Sequence, residues 1–178
     1  MIVTSEKFKA MKQIRLMPLL LPLFFISTCS CSQGNSTTRY SMQGIFVAST
    51  PCSERTKPVP GIPPNADCEL IKWNLILYQN ASDKTPATYK LHCVYGLPEQ
   101  GTTEVTGGGK ELDMEGKWTI VKGIPANPHA VVYQLHNDKT NNSISFLKLN
   151  NDLLHLLDAD KRLMIGSAAW SYTFNRKQ

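Results

Sequence analysis

The sequence predicts an all-β protein, a meandering antiparallel β-barrel of about eight strands. Three observations support this prediction. Short segments alternate between apolar and polar residues, as half-buried strands do. The links between these segments are polar and of hairpin size. No segment shows three turns of helical periodicity with capping residues.

Two segments show the alternation best, residues 69–79 and residues 88–95. Each predicts a buried face, made of Ile71, Trp73, Leu75 and Leu77 in the first and of Tyr89, Leu91, Cys93 and Tyr95 in the second. The opposite face carries Lys72, Asn74, Lys90 and His92. The other strands are predicted at residues 44–49, 116–121, 130–136, 143–150, 153–157 and 169–174. Closing this sheet would remove its exposed edges and line the interior with one face of each strand.

The connections predict turns, a flexible tip and one irregular loop. Residues 80–86, 137–142, 150–152 and 158–161 are rich in turn-forming residues. Three successive glycines at residues 107–109 predict a mobile hairpin tip. Asp113 and Glu115 are assigned to turns. Residues 58–64 hold four prolines and one glycine, which predicts an irregular surface loop at one barrel end between the first two strands.

The N-terminus has the organisation of a secretory signal. Lys12 and Arg15 precede an apolar run at residues 16–26, and the small residues and cysteines of 27–31 follow at once. The run is too short to span a bilayer, which needs roughly 20 apolar residues. We therefore assign residues 1–30 to a lipoprotein signal peptide, 31–41 to a tether and 42–178 to the barrel domain.

The end of the signal resembles a lipobox, in which an aliphatic and two small residues precede a lipidated cysteine. With Cys29 as acceptor, Ile26 fits the aliphatic position but Thr28 is large for the last one. With Cys31 as acceptor, Ser30 fits the last position but Thr28 replaces the aliphatic residue. The pattern favours Cys31 slightly, and the alternative is a cleaved signal without lipid. Lipidation would anchor the protein to a membrane.

The charge of the predicted mature chain does not indicate a nucleic-acid partner. The net charge of +5 falls to +2 when the four cations and one carboxylate of residues 1–30 are removed. The remaining lysines and arginines form no run that would make a basic patch for a phosphate backbone.

Three cysteines lie within the predicted barrel: Cys52, Cys68 and Cys93. Export places them in an oxidising compartment, where disulfides persist. Cys52 and Cys68 bracket the proline loop, and a cross-link between the end of one strand and the start of the next would pin both loop ends. Their Cα atoms must then lie within about 7 Å. Cys93 is a competing partner, which we discount because it lies in mid-strand on the inner face, where a buried free thiol is expected.

An ordered set of motifs runs from residue 44 to about residue 174. It comprises Gly44-Ile45-Phe46-Val47, Thr50-Pro51-Cys52, Asp67-Cys68 with the long strand after it, Thr88-Tyr89-Lys90-Leu91, Gly116-Lys117-Trp118 and the turn at residues 153–160. In this order, after a lipoprotein signal, the chain resembles the N-terminal domain of NlpE-type lipoproteins. The resemblance implies a small lipocalin-like barrel. It also implies an outer-membrane lipoprotein facing the periplasm, linked to copper resistance and envelope-stress signalling.

The cysteine spacing departs from the family, in which the two cysteines are two residues apart. Here 15 residues separate Cys52 from Cys68, which favours a structural staple over a metal or redox pair. A soft-metal site for Cu(I), formed by Cys52, Cys68 and Met42, is the alternative. The histidines fall on separate segments and predict no metal cluster; they are His92, His129, His136 and His155.

The function predicted is therefore a non-enzymatic envelope module for binding or stress sensing, with no cofactor and with an envelope protein as its partner. The sequence has no Gly-x-Ser-x-Gly or His-Glu-x-x-His motif, and Gly107-Gly108-Gly109-Lys110 lacks the spacing of a phosphate loop. A copper-binding lipoprotein is the alternative, and a protease inhibitor with residues 58–64 as bait is a third. Bulky residues are expected to leave little room for an interior ligand; they are Trp73, Tyr89, Tyr95, Tyr133, Trp170 and Tyr172. The oligomeric state is not indicated.

Overall fold

The structure, a computed structural model, describes residues 40–52, 59, 61–137 and 142–178. Eight strands form a closed antiparallel barrel in chain order, which confirms the predicted fold class. The strands are β1 (Tyr40–Pro51), β2 (Leu70–Asn80), β3 (Pro86–Gly96), β4 (Lys110–Ile124), β5 (Asn127–Asn137), β6 (Ser143–Lys148), β7 (Leu153–Leu156) and β8 (Thr173–Arg176). The predicted signal, the lipidation sites Cys29 and Cys31, and Pro58 and Pro60 lie outside the described residues.

The barrel closes through a short seam. β1 pairs with β2 from Tyr40↔Asn80 to Pro51↔Leu70, but with β8 at only two positions, Phe46↔Arg176 and Val47↔Asn175. The Arg176 side chain adds to this contact, since its Nη2 donates to the Gln43 carbonyl at 2.9 Å. Its guanidinium also lies 5.4 Å from the centre of the Phe46 ring. A few groups thus hold the two ends of the sheet together.

The interior is filled by side chains. All the inward residues predicted for β2 and β3 are buried, which confirms both patterns. Phe174 makes edge contacts with Trp73 at 5.3 Å and with Phe146 at 4.9 Å between ring centres. Trp118 donates from Nε1 to the Tyr78 carbonyl at 2.6 Å and packs on Tyr133. Because a buried indole N–H group needs an acceptor, this hydrogen bond helps to fix the Trp118 ring in the core.

The two ends of the barrel differ in their connections. At the short-turn end lie the turns after β2, β4 and β6, the start of β1 at Tyr40 and the residues after β8. At the long-loop end lie the connections after β1, β3, β5 and β7, of which the longest span residues 52–69, 97–109 and 157–172. In the described part of the chain, no helix has the length and apolar character needed to cross a membrane.

Three details of the sequence prediction were wrong. Asp113 and Glu115 lie on β4, not in turns, because β4 begins at Lys110 and turns its charged residues outward. β8 begins at Thr173 rather than at residue 169, because Ser167 and Trp170 exchange backbone hydrogen bonds of 3.0 and 3.3 Å and form a turn. Trp170 is consequently 37% exposed and does not fill the interior.

Candidate functional site

The long-loop end carries the disulfide. Cys52 follows β1 directly and Cys68 comes just before β2, and the two are bonded with their Cα atoms 5.5 Å apart. The Cys52 amide donates to the Glu69 carbonyl at 2.9 Å, so the ends of the loop are also joined through the backbone. The predicted staple is therefore present. Cys93 is a free thiol buried on β3, and burial, with the charge of Asp113 as a smaller cause, raises its pKa far above the usual range.

The stapled connection is not the plain surface loop that the sequence predicts. Val59 is 1% exposed and Ile62 is 6% exposed, and both belong to the barrel core. Gly61, with φ +112°, lies between them, and a Cβ there would come 2.9 Å from Leu112. Of the described residues of the proline stretch, Gly61, Pro63 and Pro64 are exposed. Isolated apolar residues among prolines have no periodicity, which is why the pattern did not predict their burial.

Removing the staple should destabilise the barrel. In the chain-entropy model, closing a loop of this length stabilises the folded state by about 3 kcal/mol, because it restricts the unfolded chain. We therefore expect Cys52→Ser/Cys68→Ser to lose about 3 kcal/mol of unfolding free energy in urea. Reductant should produce a similar loss in the parent and none in the double variant. Equal stability of the parent with and without reductant would contradict a structural role.

The structure does not bring Met42 together with Cys52 and Cys68, the other two predicted copper ligands. Met42 lies at the short-turn end and Cys52 at the long-loop end of the same strand, ten residues away, or roughly 33 Å at the rise of a β-strand. The two cysteine sulfurs are bonded to each other, whereas a soft-metal site needs thiolates. Among the described residues, no three His, Cys, Asp or Glu side chains form a group that could hold a metal ion. Copper binding stays a prediction for the reduced chain.

The four histidines lie on three strands: His92 on β3, His155 on β7, and His129 and His136 together on β5, which the sequence had assigned to separate segments. His92 pairs with Asp113 at 2.8 Å on the outer face of the barrel, where a groove of 470 Å³ runs over β2, β3 and β4. His136 bonds Thr119 at 2.9 Å. The groove is lined by charges of both signs, including Lys90 and Glu115. Such an open surface of mixed charge is what a solvated outer sheet face presents.

The connection 97–109, like the stapled connection, is anchored by a buried apolar side chain. Val105 is 4% exposed and bridges Pro98. On the outside, Lys72 of β2 donates to both carboxylate oxygens of Glu104 at 2.7 Å. This hydrogen bond, with the lysine charge, lowers the pKa of Glu104. The connection is thus tied to the barrel, while Leu97 remains 47% exposed.

The connection 157–172 has the most internal structure. The Asp158 carboxylate accepts from the backbone amides of Asp160 and Arg162 at 2.9 and 2.8 Å, which forms the turn predicted there. The Met164 side chain is buried in the core. His155 Nε2 lies 2.9 Å from the Met164 carbonyl. Because a carbonyl only accepts, His155 Nε2 must carry the hydrogen. The connection is thus held at Met164 twice, by the backbone carbonyl bonded to β7 and by the side chain packed in the core.

Four large apolar side chains remain on the surface of these anchored connections. We call them the apolar rim; they are Leu97 at 47%, Leu163 at 47%, Ile165 at 90% and Trp170 at 37% exposure. The sequence pattern does not predict the rim, and it assigns Trp170 to the barrel interior. Residues 163–170 alternate in neither strand nor helix fashion, so the pattern offered no signal. Three of the four belong to the connection 157–172, and exposed apolar side chains that form a patch are typical of interaction surfaces.

The chain matches one family model, described as the NlpE N-terminal domain, over residues 60–167. The matched region contains 108 of the 178 residues and runs from the stapled connection through β2 to β7 and into the connection 157–172. A search of curated proteins found no match. A search of solved structures also found none.

Proposed function

Since the chain belongs to the NlpE N-terminal domain family, whose members are cell-envelope lipoproteins, we propose that it is a non-enzymatic, lipid-anchored module that binds an envelope protein. The single observation behind this proposal is the apolar rim at the long-loop end. The same family membership supports an envelope location, and we propose the outer membrane, with the barrel in the periplasm.

Recognition at the rim fits the packing of the barrel better than recognition inside it. Aromatic and aliphatic side chains fill the interior, so the described barrel has the character of a solid core. The rim residues, in contrast, stand on connections that are fixed by Val105, by Met164 and by the Asp158 turn. A surface that is already ordered loses little conformational entropy on binding, which favours affinity. Exposed tryptophan and isoleucine are suitable anchors for a protein partner.

The direction of the chain supports the proposed orientation. Tyr40 begins β1 at the short-turn end, and it is the last residue but one of the predicted tether of residues 31–41. An acyl anchor on Cys31, or else on Cys29, would therefore hold the short-turn end toward the membrane. The rim, at the other end of the barrel, would then face the aqueous compartment, where a partner can reach it.

Site-specific photo-cross-linking tests the proposal. We expect a photoreactive residue at position 165 to give a discrete adduct in the envelope, while the same residue at position 149 gives none. Leu149 is the matched control, because it is 50% exposed and lies at the short-turn end. Excess purified parent protein should compete for the adduct. A Trp170→Ser competitor should be roughly 30-fold weaker, the effect of losing a central aromatic anchor. Equal adducts at both positions, or equal competition, would refute a partner at the rim.

A further inference from the structure

Side-chain charges are divided between the two ends of the barrel. Each end comprises its turns or connections together with the three strand residues on either side of each. The described residues of the short-turn end carry five cations against two carboxylates, a net charge of +3; the cations are Lys84, Lys122, Lys148, Arg176 and Lys177. Those of the long-loop end carry four cations against seven carboxylates, a net charge of −3. The charges of Glu54, Arg55 and Lys57, which belong to the stapled connection, change this only to −2.

The short-turn end also exposes apolar side chains beside its cations. Tyr40 is 49% exposed, Met42 54% and Leu149 50%. A projecting hairpin adds Ile120, at 49%, next to the exposed Lys122. This hairpin is formed by the end of β4 and the start of β5. The pairing of β3 with β4 reaches only Lys117, and the pairing of β6 with β5 begins only at Val132. Residues 118–131 therefore pair only with each other, and the hairpin projects from the barrel.

We propose that the short-turn end is a membrane-contact surface that binds anionic phospholipid headgroups. Lysines near a membrane are attracted by its negative surface potential, and tyrosine with aliphatic neighbours is suited to the headgroup region. The position of Tyr40 gives a second reason, which rests on the proposed lipid anchor: Tyr40 begins β1 at this end, and the anchor site precedes it in the sequence. The opposite, acidic end would be repelled by the same surface. The barrel therefore stands on the membrane with its rim outward.

Vesicle binding by the chain without its lipid tests this surface. Residues 31–178 contain every strand and both sides of the seam, so this segment includes the whole fold. With Cys31→Ser it has no acyl anchor, and any binding must come from the barrel and tether. We expect it to sediment with vesicles of phosphatidylglycerol and phosphatidylethanolamine at low salt. Phosphatidylcholine vesicles should bind much less, and added salt should release the protein.

Charge reversal at each end separates a local surface from a general effect of net charge. The variant Lys84→Glu/Lys122→Glu/Lys177→Glu should bind anionic vesicles at least about 100-fold less, since each cation near such a surface contributes roughly a factor of five. The matched variant Lys110→Glu/Lys161→Glu/Arg162→Glu changes the net charge by the same amount, but at the long-loop end. Its affinity for anionic vesicles should stay within about threefold of the parent, because exposed charges farther from the membrane than the Debye length are screened. Circular dichroism confirms folding of both.

Two results would overturn this inference. One is no difference between anionic and neutral vesicles for the parent chain. The other is an equal loss of binding in both charge-reversed variants. Neither result bears on the rim partner, because the vesicles contain no protein and the rim residues are unchanged. Conversely, failure of cross-linking at position 165 would leave the membrane-contact surface standing.

Discussion

Phe174→Ala should lower the unfolding free energy of the barrel by about 4 kcal/mol, the loss typical of deleting a fully buried phenylalanine. Phe174 is 0% exposed and contacts both Trp73 and Phe146, so its ring joins β8 to strands on two sides. β8 has only four residues and pairs with β1 at two positions, so little else can replace this contact. Urea denaturation followed by tryptophan fluorescence measures the loss.

Phe174→Leu is the matched control, because it keeps an apolar side chain but removes both ring contacts. We expect it to lose about 1.5 kcal/mol, well below the alanine variant. Leu149→Ala, at a half-exposed position of the short-turn end, should change stability by less than about 1 kcal/mol. If Phe174→Ala cost no more than Leu149→Ala, the seam would not depend on β8 packing.

Gly116→Ala should be nearly as damaging, with an expected loss of about 4 kcal/mol. A Cβ on Gly116 would overlap the carbonyl oxygen of His136 and lie 3.2 Å from the Tyr89 ring. The backbone of β5 cannot move aside without breaking pairing, so we expect about 3 kcal/mol of overpacking. At least one lost ladder hydrogen bond adds about 1 kcal/mol. The glycine of the Gly-x-Trp motif is therefore required for space.

Gly101→Ala provides the contrast for this prediction. Gly101 has φ +75°, but a Cβ there meets nothing within 4 Å. Its replacement should therefore cost only the strain of a left-handed backbone, about 1 kcal/mol. Chemical denaturation of both variants compares the two effects directly. A larger loss for Gly101→Ala than for Gly116→Ala would show that backbone conformation, and not close approach of β4 and β5, governs these glycines.

The barrel was predictable because the residues of its inner face are more apolar than those of its outer face. The inward residues from Ile71 to Leu77 alternate with an outer face that includes Lys72 and Asn74, and every inward residue of this set is buried. The disulfide was predictable for a related reason, since strands joined by one connection bring Cys52 and Cys68 to the same barrel end. Alternation was less helpful for β4, where Glu111, Asp113 and Glu115 gave the outer face the composition of a turn.

The candidate site was much less predictable than the fold. Its parts come from two connections, and each of these buries some of its apolar residues while exposing others. Met164 is buried and Ile165 is 90% exposed, although they are adjacent and similar in hydrophobicity. The hydrogen bond from His155 to the Met164 carbonyl and the turn at Asp158 fix the backbone of this connection and so contribute to which of the two faces inward. Composition and periodicity carry no information on that choice.

The short seam between β1 and β8 also determines when the barrel can close as the chain emerges. Phe46 and its partner Arg176 are 130 residues apart in sequence, so β1 must wait for the last strand. If the other strands pair before β8 joins them, the free edge of β1 is available to other strands. Pairing over so long a separation is also slow. Aggregation and proteolysis should therefore threaten the protein mainly during its biogenesis, and a chaperone that shields this edge would protect it most.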